Sequence, residues 1–138
     1  MKKWIAMWLA LSVPMAAMAE EKAAEEEGAA PKVSYVSLTP PFVGNYALDG
    51  SPRLHVYKAD VALRVTGAEA EAAVKQQDPL IRNQLVALFA QQTIDSMSNV
   101  EAKEKLRQEA LKQVQQVMND ETGKPMVDDL LFNNLIVQ

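Results

Sequence analysis

The clearest pattern in the chain is an alternation of apolar and polar residues in the stretch RLHVYKADVALRVTG, residues 53–67. A repeat of two residues is typical of a strand with one buried face. The pattern therefore predicts one long strand that is packed on one side. Its buried face would carry His55, Tyr57, Ala59, Val61, Leu63 and Val65, and its polar face Lys58, Asp60, Arg64 and Thr66.

Two further regions are predicted to form strands, one before the long strand and one at the end of the sequence. Residues 33–48, VSYVSLTPPFVGNYAL, carry β-branched and aromatic side chains on either side of Pro40 and Pro41. Paired prolines cannot donate to a central ladder, so we predict two short strands around a rigid turn. The closing stretch LLFNNLIVQ, residues 130–138, is apolar enough to predict a buried strand.

Between these regions the apolar spacing changes to three and four, which is the helical period. A short peripheral helix is predicted in AEAEAAVKQQ, residues 68–77. A second helix should begin with Asp78 as its N-cap and Pro79 in the first helical position. Its core stripe would be Ile81, Leu85, Leu88 and Phe89.

A third helix follows a short polar break and completes a helical hairpin. Ser98 and Glu101 have the spacing of a capping box at its start, and Gly123 and Pro125 mark its end. Its core stripe would be Leu106, Ala110, Leu111, Val114, Val117 and Met118. The pattern as a whole predicts an α+β fold with a small, mostly antiparallel sheet and a helical hairpin on one face.

The first 19 residues have the composition of a secretory signal peptide. Lys2 and Lys3 precede an apolar run, and the small residues Ala17 and Ala19 predict cleavage after Ala19. A retained, short membrane anchor is the alternative, although a spanning helix needs about 20 apolar residues. Residues 20–32 are predicted to be an acidic linker, which leaves residues 33–138 as one folded domain.

Charge and cysteine content limit the possible functions. Loss of residues 1–19 would remove two basic residues and no acidic one, and would move the net charge from −4 to −6. Nucleic-acid binding needs clustered Lys and Arg, so we predict no nucleic-acid partner. The absence of cysteine excludes disulfides, thiolate catalysis and Cys-based metal sites.

No residue pattern in the chain indicates catalysis. His55 is the single histidine, and its place on the apolar parity favours a partly buried structural role. Asp128 and Asp129 are neighbours whose side chains would point to opposite faces of a strand, so they do not form an acid and base pair. We therefore predict a protein that is not an enzyme and has no catalytic residues, cofactor or metal site.

Arg82 and Arg107 each lie beside the apolar stripe of a predicted helix. Arginine is common at protein interfaces and equally common on solvated or paired helix surfaces. Both interpretations stay open at this point.

Five segments, taken in order and spacing, resemble the flagellar basal-body-associated FliL family. No single segment is specific, and the resemblance depends on the ordered set. It covers about residues 33–138, with the segments YVSLTPPFVGN (35–45), LHVYKADVALRV (54–65), DPLIRNQLVALFAQQT (78–93), EKLRQEAL (104–111) and LLFNNLIVQ (130–138).

The resemblance implies a stomatin-like (SPFH-like) periplasmic domain without catalytic activity. It implies association with flagellar stator and basal-body proteins at the inner membrane, formation of homo-oligomers and support of motility. Members typically keep an N-terminal transmembrane helix, whereas here a cleaved signal is predicted, and membrane contact would occur only through that segment if it were uncleaved. Position by position, the resemblance makes Phe42, Asn45, Arg82 and Arg107 candidate interaction residues. The alternative function is a periplasmic adaptor or binding domain unrelated to flagella.

Overall fold

The computed structural model describes residues 31–50 and 52–138. The predicted cleavage site at Ala17 and Ala19, and residues 20–30 of the predicted linker, lie outside this part of the chain. The elements, in chain order, are strand β1 (Val33–Tyr46), strand β2 (His55–Thr66), helix α1 (Ala68–Gln76), helix α2 (Asp78–Ala90), a 3-10 turn (Asp95–Met97), helix α3 (Val100–Thr122) and strand β3 (Val127–Val137).

The three strands form one antiparallel sheet in the order β1, β2, β3. The long strand predicted from the alternating pattern is β2, which occupies the centre of the sheet. Its predicted inner face is confirmed, because the alternate residues from Tyr57 to Val65 are all buried. His55, at the start of β2, is half-buried, and its ring centroid lies 5.5 Å from that of Tyr46. The predicted α+β class is also confirmed.

β1 is a single 14-residue strand, so the prediction of two short strands was wrong. Its register against β2 shifts between Leu38 and Phe42, where three residues of β1 oppose Asp60 alone. Two extra residues leave the alternation in phase, and both Leu38 and Phe42 therefore point into the core. Because β1 is an edge strand, this bulge accommodates Pro40 and Pro41 without interrupting the strand.

The helices pack against one face of the sheet and form a single apolar core with it. α2 packs mainly on β1, and α3 packs mainly on β3. The predicted stripe of α2 is fully confirmed, and the predicted stripe of α3 supplies four buried residues and two that are partly buried. Among the described residues no polar or charged side chain is buried, so apolar packing is the main stabilising interaction.

Phe89 of α2 lies at the centre of this core and is fully buried. Its ring contacts one aromatic ring from each strand. The centroid distances are 5.5 Å to Phe42 on β1, 5.3 Å to Tyr57 on β2 and 6.0 Å to Phe132 on β3. The first two pairs are edge-to-face, the arrangement that aromatic rings favour.

Two predicted helix caps were wrong by one residue. Gln77 alone separates α1 from α2 and takes the N-cap position, so Asp78 is the first residue of the helix. At the start of α3 the cap is Asn99, whose side-chain oxygen accepts a hydrogen bond from the Ala102 N–H at 2.8 Å. Ser98 instead donates to the Asp95 carbonyl oxygen. The end of α3 at Gly123, which has a φ of +82°, was correctly predicted.

β3 is a strand, as predicted, but its burial is lower than expected. It lies at the other edge of the sheet, and only Val127 and Leu130 are buried among its residues. Asp128 and Asp129 lie within the strand and have different partners, Thr66 and Arg107. In the part of the chain described here, no helix has the length and apolar content needed to cross a membrane.

Gly44 provides a test of the packing between β1 and β2. It pairs with Tyr57, and a Cβ atom at Gly44 would lie 2.9 Å from Tyr57 Oη and 3.0 Å from Tyr57 Cε1. The Tyr57 ring cannot move away easily, because it packs against Phe89. We expect Gly44→Ala to lower the free energy of unfolding by about 1–3 kcal/mol in urea titrations, as overpacking does.

Asn45→Ala is the matched control, since Asn45 is an exposed neighbour on the opposite face of β1. We expect it to change the free energy of unfolding by less than about 0.5 kcal/mol. Equal stability of Gly44→Ala and the wild type would contradict the tight contact with Tyr57.

Candidate interaction surfaces

The four residues singled out in the sequence lie in three different places. Phe42 and Arg82 are in contact with each other, Arg107 joins α3 to β3, and Asn45 is exposed on β1. Each place is therefore considered separately. A role in binding a partner stays a prediction for all four.

Arg82 connects α2 to the irregular part of β1. Its guanidinium carbon lies 4.5 Å from the centroid of the Phe42 ring, which is a cation–π arrangement. Its Nη2 donates to the Pro40 carbonyl oxygen at 2.9 Å, inside the bulge. Its Nε lies 3.6 Å from Asp78 Oδ1, one helical turn earlier. Phe42 is thus covered by Arg82 and also packs edge-on against Phe89.

Arg107 makes the corresponding connection between α3 and β3. Its Nη1 donates to Asp129 Oδ1 at 2.6 Å and to the Leu130 carbonyl oxygen at 3.1 Å. Its Nε donates to Glu104 Oε2 at 2.9 Å on the same helix. These partners raise the pKa of Arg107, with the hydrogen bond to Glu104 as the largest cause. The same hydrogen bond lowers the pKa of Glu104.

Asn45 belongs to the outer face of the sheet, the side away from the helices. This face carries several exposed apolar residues, and no described helix covers it. At one end it holds a shallow depression of about 250 Å³ lined by Val43, Val56, Lys58 and Ile136, among others. A sheet face exposed to water is usually polar, so these apolar residues make it a candidate contact surface.

The end of the helical hairpin where α2 connects to α3 carries two open grooves that the sequence did not predict. They lie on either side of residues 92–95 and have volumes of about 570 and 590 Å³. Their apolar residues include Leu48 and Ile94, which lie in loops and belong to no periodic pattern. An isolated apolar residue in a polar loop is the sequence signal that could have predicted these grooves.

Side chains that could bind a metal ion are not clustered in the described structure. Among residues 31–50 and 52–138, no three side chains of the His, Asp or Glu type come close enough to hold a metal ion. His55 lies beside Tyr46 at the end of the sheet. The described surface consists of exposed apolar residues, open grooves and ordinary charged residues.

Comparison with known proteins identifies the family. Residues 35–138 match the family model described as "Flagellar basal body-associated protein FliL", and the chain belongs to this family. It is therefore a flagellar basal-body-associated protein. A relative named "Flagellar protein FliL" from Aquifex aeolicus (strain VF5) is 26% identical over 102 residues, which is 73% of this chain and 59% of that protein. The alignment thus spans less than two thirds of that relative's length.

Arg107 gives a test of how helix α3 is attached to the sheet. Arg107→Met keeps much of the side-chain length but removes the bonds to Asp129 and Leu130. We expect the free energy of unfolding at neutral pH to fall by about 1.5–3 kcal/mol, the range for hydrogen bonds to charged groups. Because Arg107 lowers the pKa of Glu104, the stability from that pair is present above the usual carboxyl pKa and is lost as the pH falls through the lowered pKa. The difference in the free energy of unfolding between the wild type and Arg107→Met should therefore become smaller below about pH 4.

Lys112→Met is the control, since Lys112 is exposed on the same helix. Hydrogen exchange separates the two arginines, because Arg107→Met should increase exchange mainly in β3 and Arg82→Ala mainly in β1. If either variant increased hydrogen exchange equally in β1 and β3, the arginine contacts would not act locally.

Proposed function

We propose that the folded domain acts in the periplasm as a non-enzymatic accessory of the flagellar motor and supports the stator through protein contacts. The observation that carries this proposal is the family match, which extends over nearly all of the folded domain, residues 35–138. The partners we propose are stator and basal-body proteins and further copies of the same chain.

The described surface supports a role through contacts. The three helices of the described part of the chain lie on one face of the sheet, and the outer face keeps exposed apolar residues such as Tyr35, Val43 and Ile136. Surface of this kind is typical of protein interfaces. The stomatin-like fold and the formation of homo-oligomers follow from the family resemblance and belong to the same proposal.

The motor function is tested by deletion of the gene in the native host. We expect cells that still assemble normal numbers of filaments but swim or swarm more weakly, most of all under viscous load. Filaments are counted by electron microscopy, and torque is measured on tethered cells over a range of loads. Complementation with the wild-type gene is the control, and full torque at high load in the deletion strain would refute the proposal.

The periplasmic location is tested separately, because it depends on the fate of residues 1–19. Mass spectrometry of periplasmic and membrane fractions should find a soluble chain that begins at Glu20, as the small residues Ala17 and Ala19 predict. An intact chain with Met1 in the membrane fraction would instead establish the short anchor. Such a result would refute cleavage but would leave the motor function to the torque measurement.

A further inference from the structure

The two grooves at the end of the hairpin have different linings. The groove of about 590 Å³ lies between the β1–β2 loop and the loop that follows α2. Its apolar residues are Ala47, Leu48, Ala90 and Ile94. Leu48 and Ile94 are 67% and 47% exposed, so their side chains offer apolar surface to a partner. We call this the apolar groove.

The groove of about 570 Å³ runs along the first half of α3 and has more charged residues in its lining. Three carboxylates line it, those of Asp95, Glu101 and Glu109, against the single cation of Lys105. Asp95 lines both grooves, so one of the three carboxylates borders the apolar groove directly. We call this the acidic groove.

The loops that form both grooves are tied to each other. The Ala47 N–H donates to the Gln92 carbonyl oxygen at 2.8 Å, and Ala47 has a φ of +52°, which is uncommon for a residue with a Cβ atom. Thr93 and Ser96 exchange backbone-to-side-chain hydrogen bonds of 2.9 and 3.1 Å.

We propose that the two grooves together form a docking site for a protein segment that carries apolar side chains flanked by Lys or Arg. The apolar side chains would occupy the space beside Leu48 and Ile94. The basic side chains would lie over the acidic groove, where charge complementarity favours them. This inference deepens the proposed function by naming the chemistry of the partner. The docking site rests on the proposed function only for the role that docking would have in the cell.

The test uses isothermal titration calorimetry of the full chain with a short amphipathic peptide of Leu and Lys. Two comparison peptides separate the contributions, one with Ser in place of Leu and one with Glu in place of Lys. We expect the Leu–Lys peptide to bind at least about tenfold more tightly than either comparison peptide, because each lacks one of the two complementary features. Its affinity should fall as salt screens the carboxylates.

Protein variants locate the site. The pair Leu48→Ser and Ile94→Ser should weaken binding at least about tenfold, and the pair Asp95→Asn and Glu101→Gln should weaken it and reduce its salt dependence. The matched controls are Val86→Ser, an exposed apolar residue on α2 that lines neither groove, and the pair Asp120→Asn and Glu121→Gln near the end of α3. Both controls should bind like the wild type. Circular dichroism should show all variants folded, because the changed side chains are exposed.

Three results would overturn the docking site. Equal loss of affinity in the control and groove variants would mean that the peptide responds only to the net negative charge of the protein. Absence of measurable binding to the wild type would refute the complementarity. Self-association of the wild type that the groove variants abolish, seen by sedimentation, would make a second copy the occupant. A motor unaffected by gene deletion would refute the proposed function without changing any of these binding results.

Discussion

The contact on which the rest of the structure depends is the packing of Phe89 against one aromatic ring from each strand. Phe89 belongs to α2, and its partners Phe42, Tyr57 and Phe132 come from β1, β2 and β3. A single fully buried side chain thus sets the position of the helical hairpin over the whole width of the sheet. The close approach of β1 to Tyr57 at Gly44 follows from the same arrangement, because the Tyr57 ring lies between Gly44 and the Phe89 ring.

The two arginines attach the helices at the margins, where the aromatic packing ends. Each donates a hydrogen bond to a carbonyl oxygen of an edge strand, Arg82 to Pro40 and Arg107 to Leu130. Edge strands with bulges have weaker backbone pairing, so side-chain contacts of this kind help to hold them. Both guanidinium groups remain partly exposed, which avoids the large cost of burying a charge. These contacts show that the candidate residues Phe42, Arg82 and Arg107 all take part in the fold itself.

This architecture leaves two surfaces for contacts with other molecules. The outer sheet face is covered by none of the described helices, and the end of the hairpin between α2 and α3 carries the apolar and acidic grooves. A fold alone does not specify a function, and here the family match supplies the flagellar association. The described domain contributes apolar and charged surface, on which the proposed binding role depends.

The sequence by itself determined the elements whose signal is periodic and local. β2, the stripes of α2 and α3 and the end of α3 at Gly123 follow from periods of two and 3.6 residues and from one left-handed position. Tertiary structure decided the rest. β1 stays one strand because an edge position and a two-residue bulge accommodate its prolines, and β3 is half-exposed because it is the other edge strand of the described sheet. The cluster around Phe89, the arginine contacts and both grooves join residues that are distant in the chain, and no local pattern encodes such distances.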